Sequence, residues 1–255
     1  NSLHFNHAKV AILARKHVIV EKPAVSRPEE WQELVKLAAE HQVYIFEAAR
    51  NYHEAAFAVI RDFLKDKKIW GANFTYAKFS SKMGALLSGR EPNVFSAKFS
   101  GGALMDLGVY TLYAAVRLFG APQSVCYTAQ KLPNSVDLNG SGSLIYPDFQ
   151  VRIQAGKNIH SQLPAEIYTD QGTLTLDGIE FIRSAIFQKL NGETESLAIR
   201  QAENQMLEEA QAFARVLKGG QEELYSDYLQ AAATVHECMF AMRKDAGIRF
   251  EVDHD

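Results

Sequence analysis

Lys22 lies in the run Glu21-Lys22-Pro23, directly after the apolar segment 17–20. Open parallel sheets bind their ligands at the carboxyl ends of their strands, where this lysine would stand. There its ammonium group can orient a substrate hydroxyl and lower the pKa of a neighbouring acid. The tripeptide fits a solvated turn equally well, because the residue before a proline is restricted to extended conformations. Position alone leaves both interpretations open.

A second group of ionisable residues follows Gly101-Gly102. If segment 104–118 is a regular helix, one of its faces carries Asp106, Tyr110, Tyr113 and Arg117. A carboxylate one turn before a phenol can orient substrate hydroxyls while the phenol exchanges a proton, provided a cation lowers the phenol pKa from about 10. The alternative is an amphipathic helix whose polar side faces water.

The elements before residue 50 must position Lys22. Helix patterns over 7–15 and after Ser26-Arg27-Pro28-Glu29 alternate with apolar runs at 17–20 and 43–46. Uninterrupted apolar runs are typical of parallel strands that are covered on both faces, and Ser26 to Glu29 has the spacing of a capping box. Residues 1–50 are therefore predicted to form part of a parallel α/β sheet.

After residue 50 the pattern changes. A helix over 54–67, a strand over 72–79 and an irregular stretch to residue 100 precede the helix at Gly101-Gly102. Segment 124–176 shows successive strand patterns without helices between them, which predicts a mainly antiparallel, open sheet. Two closing helices follow. Residues 51–255 are thus predicted to form an α+β domain, with the last helices able to pack back on the first part.

The bulk composition favours a small-molecule partner. The chain of 255 residues has a formal net charge of −3, so broad attraction to nucleic acid is not expected. It contains no apolar run of the roughly 20 residues that a membrane helix needs, and no signal sequence is visible. Two distant cysteines, Cys126 and Cys238, indicate a reducing, cytoplasmic setting. No metal is expected, because the pair His4 and His7 has no further ligand nearby.

Three motifs together resemble a known family. Asn1-x-x-His4, Glu21-Lys22-Pro23 and the run Gly-Gly-x-x-x-Asp-x-Gly-x-Tyr at 101–110 match successive signatures of the Gfo/Idh/MocA oxidoreductases in order and spacing. The resemblance covers nearly the whole chain. It implies an α/β fold, in which the C-terminal part of a Rossmann parallel-sheet domain is followed by the α+β domain with its large open sheet. The cofactor it implies is NAD or NADP.

The resemblance also implies roles for individual residues. Lys22 would lie beside the nicotinamide and the substrate, and Asp106 would bind a substrate hydroxyl. Many members carry histidine as the acid/base where this chain has Tyr110, which is more similar to the dihydrodiol and xylose dehydrogenases. Tyr110 is therefore expected to be the general acid/base, with Lys22 stabilising its phenolate. Asn1, His4 and Glu21 match positions near the cofactor.

Two further residues are weaker candidates. Arg50 follows the strand at 43–46 and would approach the cofactor or substrate, although an interdomain hydrogen bond is the plain alternative. Lys98 lies in the irregular stretch with Lys82 and Arg90 and would close over the substrate, although a solvated loop explains these residues too. The fingerprint Gly-x-Gly-x-x-Gly does not occur in the sequence. We expect it in a preceding part of a longer chain, since Asn1 begins in mid-motif.

The expected activity is hydride transfer between nicotinamide and a hydroxylated substrate such as a sugar, polyol or dihydrodiol. One alternative is a sugar or nucleotide sensor on the same scaffold, because fold does not fix function. Another is a reductase similar to biliverdin reductase. The open sheet further predicts a homodimer or homotetramer, because an exposed sheet face with apolar alternation is usually covered by a second subunit.

Overall fold

The computed structural model describes residues 1–254. Its first part contains two helices and two strands that alternate along the chain: α1 (His4–Leu13), β1 (Val18–Glu21), α2 (Pro28–Glu40) and β2 (Ile45–Ala48). Strands β1 and β2 pair in parallel, with Val18 opposite Ile45 and Glu21 opposite Ala48. The parallel α/β arrangement expected before residue 50 is therefore confirmed.

Helix α2 begins with a capping box, as the sequence predicts, but its N-cap is Arg27, one residue after the expected Ser26. Arg27 occupies the N-cap position and Pro28 the first helical position, where its missing N–H costs nothing. The Glu30 carboxylate accepts hydrogen bonds from the backbone N–H groups of Ser26 (2.8 Å) and Arg27 (3.1 Å). These bonds fix the end of the loop that starts at Lys22. Apolar residues on one face of α2, among them Trp31 and Leu34, are buried.

A short 3₁₀ turn (Arg50–His53) leads into the second part. Up to residue 119 this part contains α3 (Ala56–Leu64), the strand β3 (Ile69–Ala77), α4 (Met83–Leu87), a 3₁₀ turn (Asn93–Phe95), a π-helical turn (Leu104–Gly108) and α5 (Val109–Phe119). The remaining strands are β4 (Ser124–Lys131), β5 (Asp137–Ile145), β6 (Gln150–Gly156), β7 (Ala165–Thr169), β8 (Gly172–Leu176), β9 (Ala185–Lys189) and β10 (Thr194–Ser196).

These strands form one eight-stranded sheet in the order β10-β9-β8-β7-β3-β6-β5-β4. Only the pair β3 and β6 is parallel, and the other described pairs are antiparallel. The predicted fold class, a Rossmann-type parallel sheet followed by a mainly antiparallel open sheet, is confirmed. The sequence did not predict β9 and β10, which are short, and every residue of β10 is exposed.

The two faces of the large sheet differ in polarity. Apolar residues such as Phe74, Ile153 and Ile167 are buried in the main core that includes α5. The opposite face carries mostly polar residues: Asn73, Thr75, Ser141, Arg152, Gln154, Glu166, Tyr168, Thr173 and Thr175. The expectation of apolar alternation on the exposed face is therefore wrong, because most of the alternating apolar residues face the helices, with exceptions such as Ile186.

The closing helices α6 (Leu207–Leu217) and α7 (Glu222–Asp245) pack on the first part of the chain. The rings of Phe46 and Phe213 stack with their centroids 4.5 Å apart. The Trp31 indole donates a hydrogen bond to the Leu229 carbonyl (3.3 Å). The last helices thus return to the Rossmann part, while the domain boundary at residue 50 stays a prediction. The chain ends with a 3₁₀ turn (Glu251–His254).

Within residues 1–254 no helix combines the length and apolar character needed to cross a membrane. Cys126 is exposed and Cys238 is buried, and both are free thiols. The reducing, cytoplasmic setting stays a prediction.

Candidate active site

Lys22 stands at the carboxyl end of β1 and points across to the second part of the chain. Its ammonium group donates hydrogen bonds to the backbone carbonyl (2.7 Å) and the carboxylate (3.0 Å) of Asp106. The Lys22-Pro23 peptide bond is cis. Only 15% of the Lys22 side chain is exposed, so a solvated turn does not describe this residue.

The π-helical turn at Leu104–Gly108 presents Asp106 to Lys22. A buried residue of β5 holds the start of this turn, because the Asp137 carboxylate accepts the Leu104 N–H (2.8 Å) and the Tyr127 hydroxyl (3.3 Å). Gly102 has φ +117°, and a Cβ atom there would collide with the Asp137 carboxylate. A carboxylate at a helix N-terminus satisfies N–H groups that have no intrahelical partner. Asp137 therefore fixes where the turn begins.

Lys157 is a second cation at the site, and the sequence interpretation missed it. It directly follows β6, and its ammonium group lies 2.5 Å from the second carboxylate oxygen of Asp106. The Lys157 side chain is only 6% exposed. Like Lys22, it is a lysine that comes close after a strand, although β6 alternates polar and apolar residues and is not an apolar run. In a mainly antiparallel sheet, however, the sequence does not show which strand ends lie at the site.

The two ammonium groups determine the charge of Asp106. Burial alone would raise the pKa of this carboxyl, but the charges of Lys22 and Lys157 and their hydrogen bonds outweigh it and hold the pKa below its usual value. Asp106 is therefore a carboxylate at neutral pH. Its side chain is 37% exposed, so it also faces the adjoining space.

Tyr110 begins the next turn of the same segment, on the other side of Lys22. The Lys22 ammonium lies 4.7 Å from the centroid of the Tyr110 ring, over its face. The Tyr76 ring packs edge-on against Tyr110 with centroids 5.3 Å apart. A cation over a phenol ring interacts favourably with its π-electrons, and with a phenolate more strongly still.

The predicted helix face is only partly correct. Asp106 and Tyr110 do lie together beside Lys22, but Tyr113 is buried in the core, 5.8 Å from the ring of Tyr52. The Arg117 guanidinium packs over the same Tyr52 ring at 4.8 Å. A π-helical turn changes the angular spacing of the side chains, so residues beyond it leave the face that a regular helix would give them.

Two of the residues expected near the cofactor border a cleft of about 410 Å³ beside Asp106. Asn1 and His4 line this cleft, together with Phe99 and Gly101. The Asn1 amide donates to the Ser100 carbonyl (2.7 Å), and His4 Nδ1 lies 3.0 Å from the Pro23 carbonyl oxygen. Burial and other contacts leave the pKa of His4 lower than usual. The lining combines polar side chains with Leu3, Val94 and Phe99, and the cofactor-binding roles of Asn1 and His4 stay predictions.

Glu21 and Lys98 are two further candidates, and of these Glu21 interacts with the His4 ring through its backbone and its charge. Glu21 is exposed at the end of β1. Lys98 is exposed too, and its ammonium group lies 5.7 Å from the centroid of the Phe99 ring, at the rim of the cleft. The structure gives Lys98 no contact with Asp106 or Tyr110 within the described residues. Its predicted role in substrate binding stays a prediction.

Arg50 borders Tyr110 from another side. Its guanidinium lies 5.9 Å from the Tyr110 ring and 5.8 Å from the Phe181 ring, and 3.9 Å separates it from the Glu54 carboxylate. Burial raises the pKa of Glu54 to about 8. Both alternatives for Arg50 remain, because it lies beside the site and also joins elements of the interior.

Comparison with known proteins matches both parts of the chain. Residues 1–49 match the model of an oxidoreductase family with an NAD-binding Rossmann fold, and residues 68–175 match the GFO/IDH/MocA C-terminal domain. The chain is 33% identical over 256 aligned positions to the uncharacterized oxidoreductase YgjR of Escherichia coli, covering 99% of this chain and 77% of that protein. It is 31% identical to the NADP⁺-dependent scyllo-inositol 2-dehydrogenase IolU of Bacillus subtilis, with the same coverage.

Solved structures share the fold. KijD10, a 3-ketoreductase from Actinomadura kijaniata in complex with NADP and TDP-benzene, superposes with a TM-score of 0.80 at 20% identity, over 96% of this chain and 75% of that one. Fold and sequence thus define a dinucleotide-binding oxidoreductase. The chain belongs to the Gfo/Idh/MocA family of oxidoreductases, which confirms the resemblance drawn from its motifs. NAD or NADP is the cofactor of this class.

Proposed function

We propose that the protein transfers hydride between NAD(P) and a ring carbon that bears a hydroxyl or keto group, with Tyr110 as the general acid/base and Lys22 as its electrostatic partner. One observation carries the proposal. The Lys22 ammonium contacts the Asp106 carboxylate at 3.0 Å and also lies 4.7 Å from the Tyr110 ring centroid. One substrate molecule can therefore contact a cation, a carboxylate that binds its hydroxyl group and an acid/base at the same time.

In the oxidative direction, the Tyr110 phenolate accepts the proton of the substrate hydroxyl while the carbinol carbon loses hydride. The bound nicotinamide supplies the hydride acceptor. The Lys22 ammonium over the ring can interact with the negative charge that develops on the phenol during the transfer. In the reductive direction, Tyr110 returns the proton to the developing alkoxide. The same two groups therefore serve both directions.

Asp106 binds and orients the substrate. Held as an anion by two ammonium groups, it can accept a hydrogen bond from a hydroxyl next to the reacting carbon. A vicinal hydroxyl is present in inositols and dihydrodiols, the substrate classes in the names of IolU and the trans-1,2-dihydrobenzene-1,2-diol dehydrogenases that resemble this chain. The sugar named for the dTDP-sugar 3-reductases that also resemble it carries a keto group beside the reacting carbon instead. We propose this class, with cyclic polyols and sugars first.

The full-length protein should be assayed by nicotinamide absorbance against inositols, aldoses, keto sugars and dihydrodiols with both cofactors. Tyr110→Phe is expected to lower kcat by about 10² to 10⁴ without a matching change in cofactor affinity. Tyr76→Phe is the matched control, since it removes a hydroxyl from the ring that packs on Tyr110 and should change kcat far less. Near-normal turnover by Tyr110→Phe would contradict the assignment, and cofactor binding with no turnover on the panel would favour a sensor.

We also propose that two or more copies associate through the open face of the large sheet. The face is broad and polar, and it carries both Arg152 and Glu166. Such residues suit an interface with hydrogen bonds and paired charges. Sedimentation of the full-length protein at micromolar concentration should show a dimer or tetramer. A monomer under these conditions would remove the proposal.

A further inference from the structure

Glu47, in strand β2, is a buried carboxylate with partners on two other elements. One of its oxygens accepts the backbone N–H of Ala24 at 3.1 Å, and the other lies 2.7 Å from Nε2 of His236 in α7. Both side chains are only 2% exposed. A buried carboxylate is costly unless it is hydrogen-bonded, so both bonds matter to the position of the chain around it.

Ala24 is two residues after Lys22, in the loop that carries the site lysine. The bond from Glu47 therefore anchors the backbone from which the Lys22 side chain extends. The loop is also held by His4 at the Pro23 carbonyl, and at Ser26 by Glu30, Arg243 and Ser100. His4 and Glu47 hold the same peptide group, between Pro23 and Ala24, and Glu47 holds it from the buried side.

The same carboxylate also borders the helix that carries the other site residues. Burial and then the Glu47 charge raise the pKa of Tyr113 well above its usual value, because the phenol lies beside the carboxylate. Tyr113 belongs to α5, which begins directly after the turn of Asp106 and contains Tyr110. Glu47 is thus in contact with the Lys22 loop and close to the helix of Tyr110.

His236 holds Glu47 from the closing helix. Its ring packs against Trp31 with centroids 5.6 Å apart, which fixes the imidazole between α2 and α7. The pair lies behind the site and contacts neither Lys22 nor Asp106 directly. We expect the effect of the pair on Lys22 to pass through the backbone at Ala24, while the Tyr113 phenol links Glu47 to the helix of Tyr110.

We propose that Glu47 and His236 are positioning residues, which hold the Lys22 loop so that the ammonium group meets Asp106 and Tyr110 at the same time. The closing helix α7 carries none of the residues Lys22, Asp106 and Tyr110, but through His236 it contributes to their positions. Misplacement of a catalytic group by about 1 Å can cost about 10²-fold in rate. The proposal rests on the proposed function only for its kinetic readout.

The kinetic test is a double-mutant cycle in the full-length protein. Glu47→Leu should lower kcat by about 10²-fold and change cofactor binding little, whereas Glu47→Gln, which can keep both hydrogen bonds, should restore most of the rate. In a Lys22→Met background the same Glu47→Leu change should have almost no further effect. An equal loss in both backgrounds would show a general structural role and overturn the proposal.

The matched control is Thr234→Val, a buried residue of α7 two positions before His236. It should leave kcat unchanged. If Glu47→Leu does not fold, His236→Leu replaces it in the cycle, with a smaller loss expected because the bond to Ala24 remains. A loss with His236→Leu that persists in the Lys22→Met background would also overturn the proposal.

A crystallographic measurement does not depend on any substrate. In wild type the Lys22 ammonium and the Asp106 carboxylate are 3.0 Å apart. In Glu47→Leu the distance should exceed hydrogen-bond reach, about 3.2 Å, while Glu47→Gln keeps it. An unchanged distance in Glu47→Leu would overturn the positioning role. Absence of turnover in wild type would instead refute the proposed function and leave this measurement valid.

Discussion

Lys22 and Asp106 are 84 residues apart in the sequence, yet the lysine donates hydrogen bonds to both the backbone carbonyl and the carboxylate of the aspartate. A single side chain thus joins the Rossmann part to the large-sheet part at the point where chemistry is proposed. Because the carbonyl bond does not depend on the ionisation of the carboxyl group, Lys22 keeps one anchor even if Asp106 is protonated. The cation is therefore held in place while the carboxylate binds substrate.

Lys157 should influence the pH dependence of turnover, although no sequence motif identifies it. Lys157→Met removes one of the two charges that lower the pKa of Asp106. That pKa should rise, and the acid limb of the pH profile of kcat/KM should move to higher pH, because Asp106 must be ionised to accept the substrate hydroxyl. Steady-state assays across the pH range measure the limb.

The control for this change is Lys36→Met, which removes the same charge from an exposed position on α2. Its pH profile should overlay that of the wild type. A Lys157→Met profile with an unmoved acid limb would show that Lys157 does not set the ionisation of Asp106.

Gly102→Ala should destabilise the protein. The residue has φ +117°, a conformation that costs an L-residue about 1–3 kcal/mol, and the added methyl group would press on the Asp137 carboxylate that caps the Asp106 turn. Chemical denaturation should show a loss of at least that size. Gly192→Ala is the control, because Gly192 also has positive φ, +91°, but nothing lies near its Cβ position. Equal losses in both variants would refute the close contact with Asp137.

Glu54 should make stability decrease with rising pH. Burial raises its pKa from 4.5 to about 8, so the folded protein binds this proton more tightly than the unfolded chain does. The unfolding free energy therefore falls as pH rises between those two values. Glu54→Gln removes the titration, and the stability of the variant relative to wild type should improve from about pH 5 to about pH 8 by up to a few kcal/mol.

Urea denaturation at several pH values measures this difference. Glu33→Gln, at an exposed carboxyl on α2, serves as the control and should follow the wild-type curve. If the unfolding free energy of Glu54→Gln depends on pH in the same way as that of the wild type, Glu54 is ionised in the folded protein at neutral pH.

Trp31 should contribute to the attachment of the closing helices. Trp31→Phe removes the indole N–H that binds the Leu229 carbonyl and leaves space beside His236. We expect a loss of about 1–3 kcal/mol in the free energy of unfolding. Trp70→Phe is the matched control, because Trp70 is 53% exposed, and its loss should be small. Similar effects of the two changes would argue against a special role of Trp31.

The sequence predicted the elements whose signals are local. Apolar runs identified β1 and β2, and strand patterns identified the part of the open sheet over 124–176 but not β9 and β10. A capping pattern placed the start of α2 within one residue. Lys22, Asp106 and Tyr110 were found because each lies within a short motif whose spacing is visible along the chain. The family followed from the order of those motifs.

Tertiary structure alone decided which other residues join them. Lys157 reaches Asp106 because β6 ends beside the π-helical turn. Glu47 contacts His236, which is 189 residues away in the sequence. Tyr113 left the predicted face because that turn is not a regular α-helix. Strand order and sheet register arise from packing between distant segments. Hydrophobic periodicity therefore shows which side of an element is buried, but not which element lies opposite it.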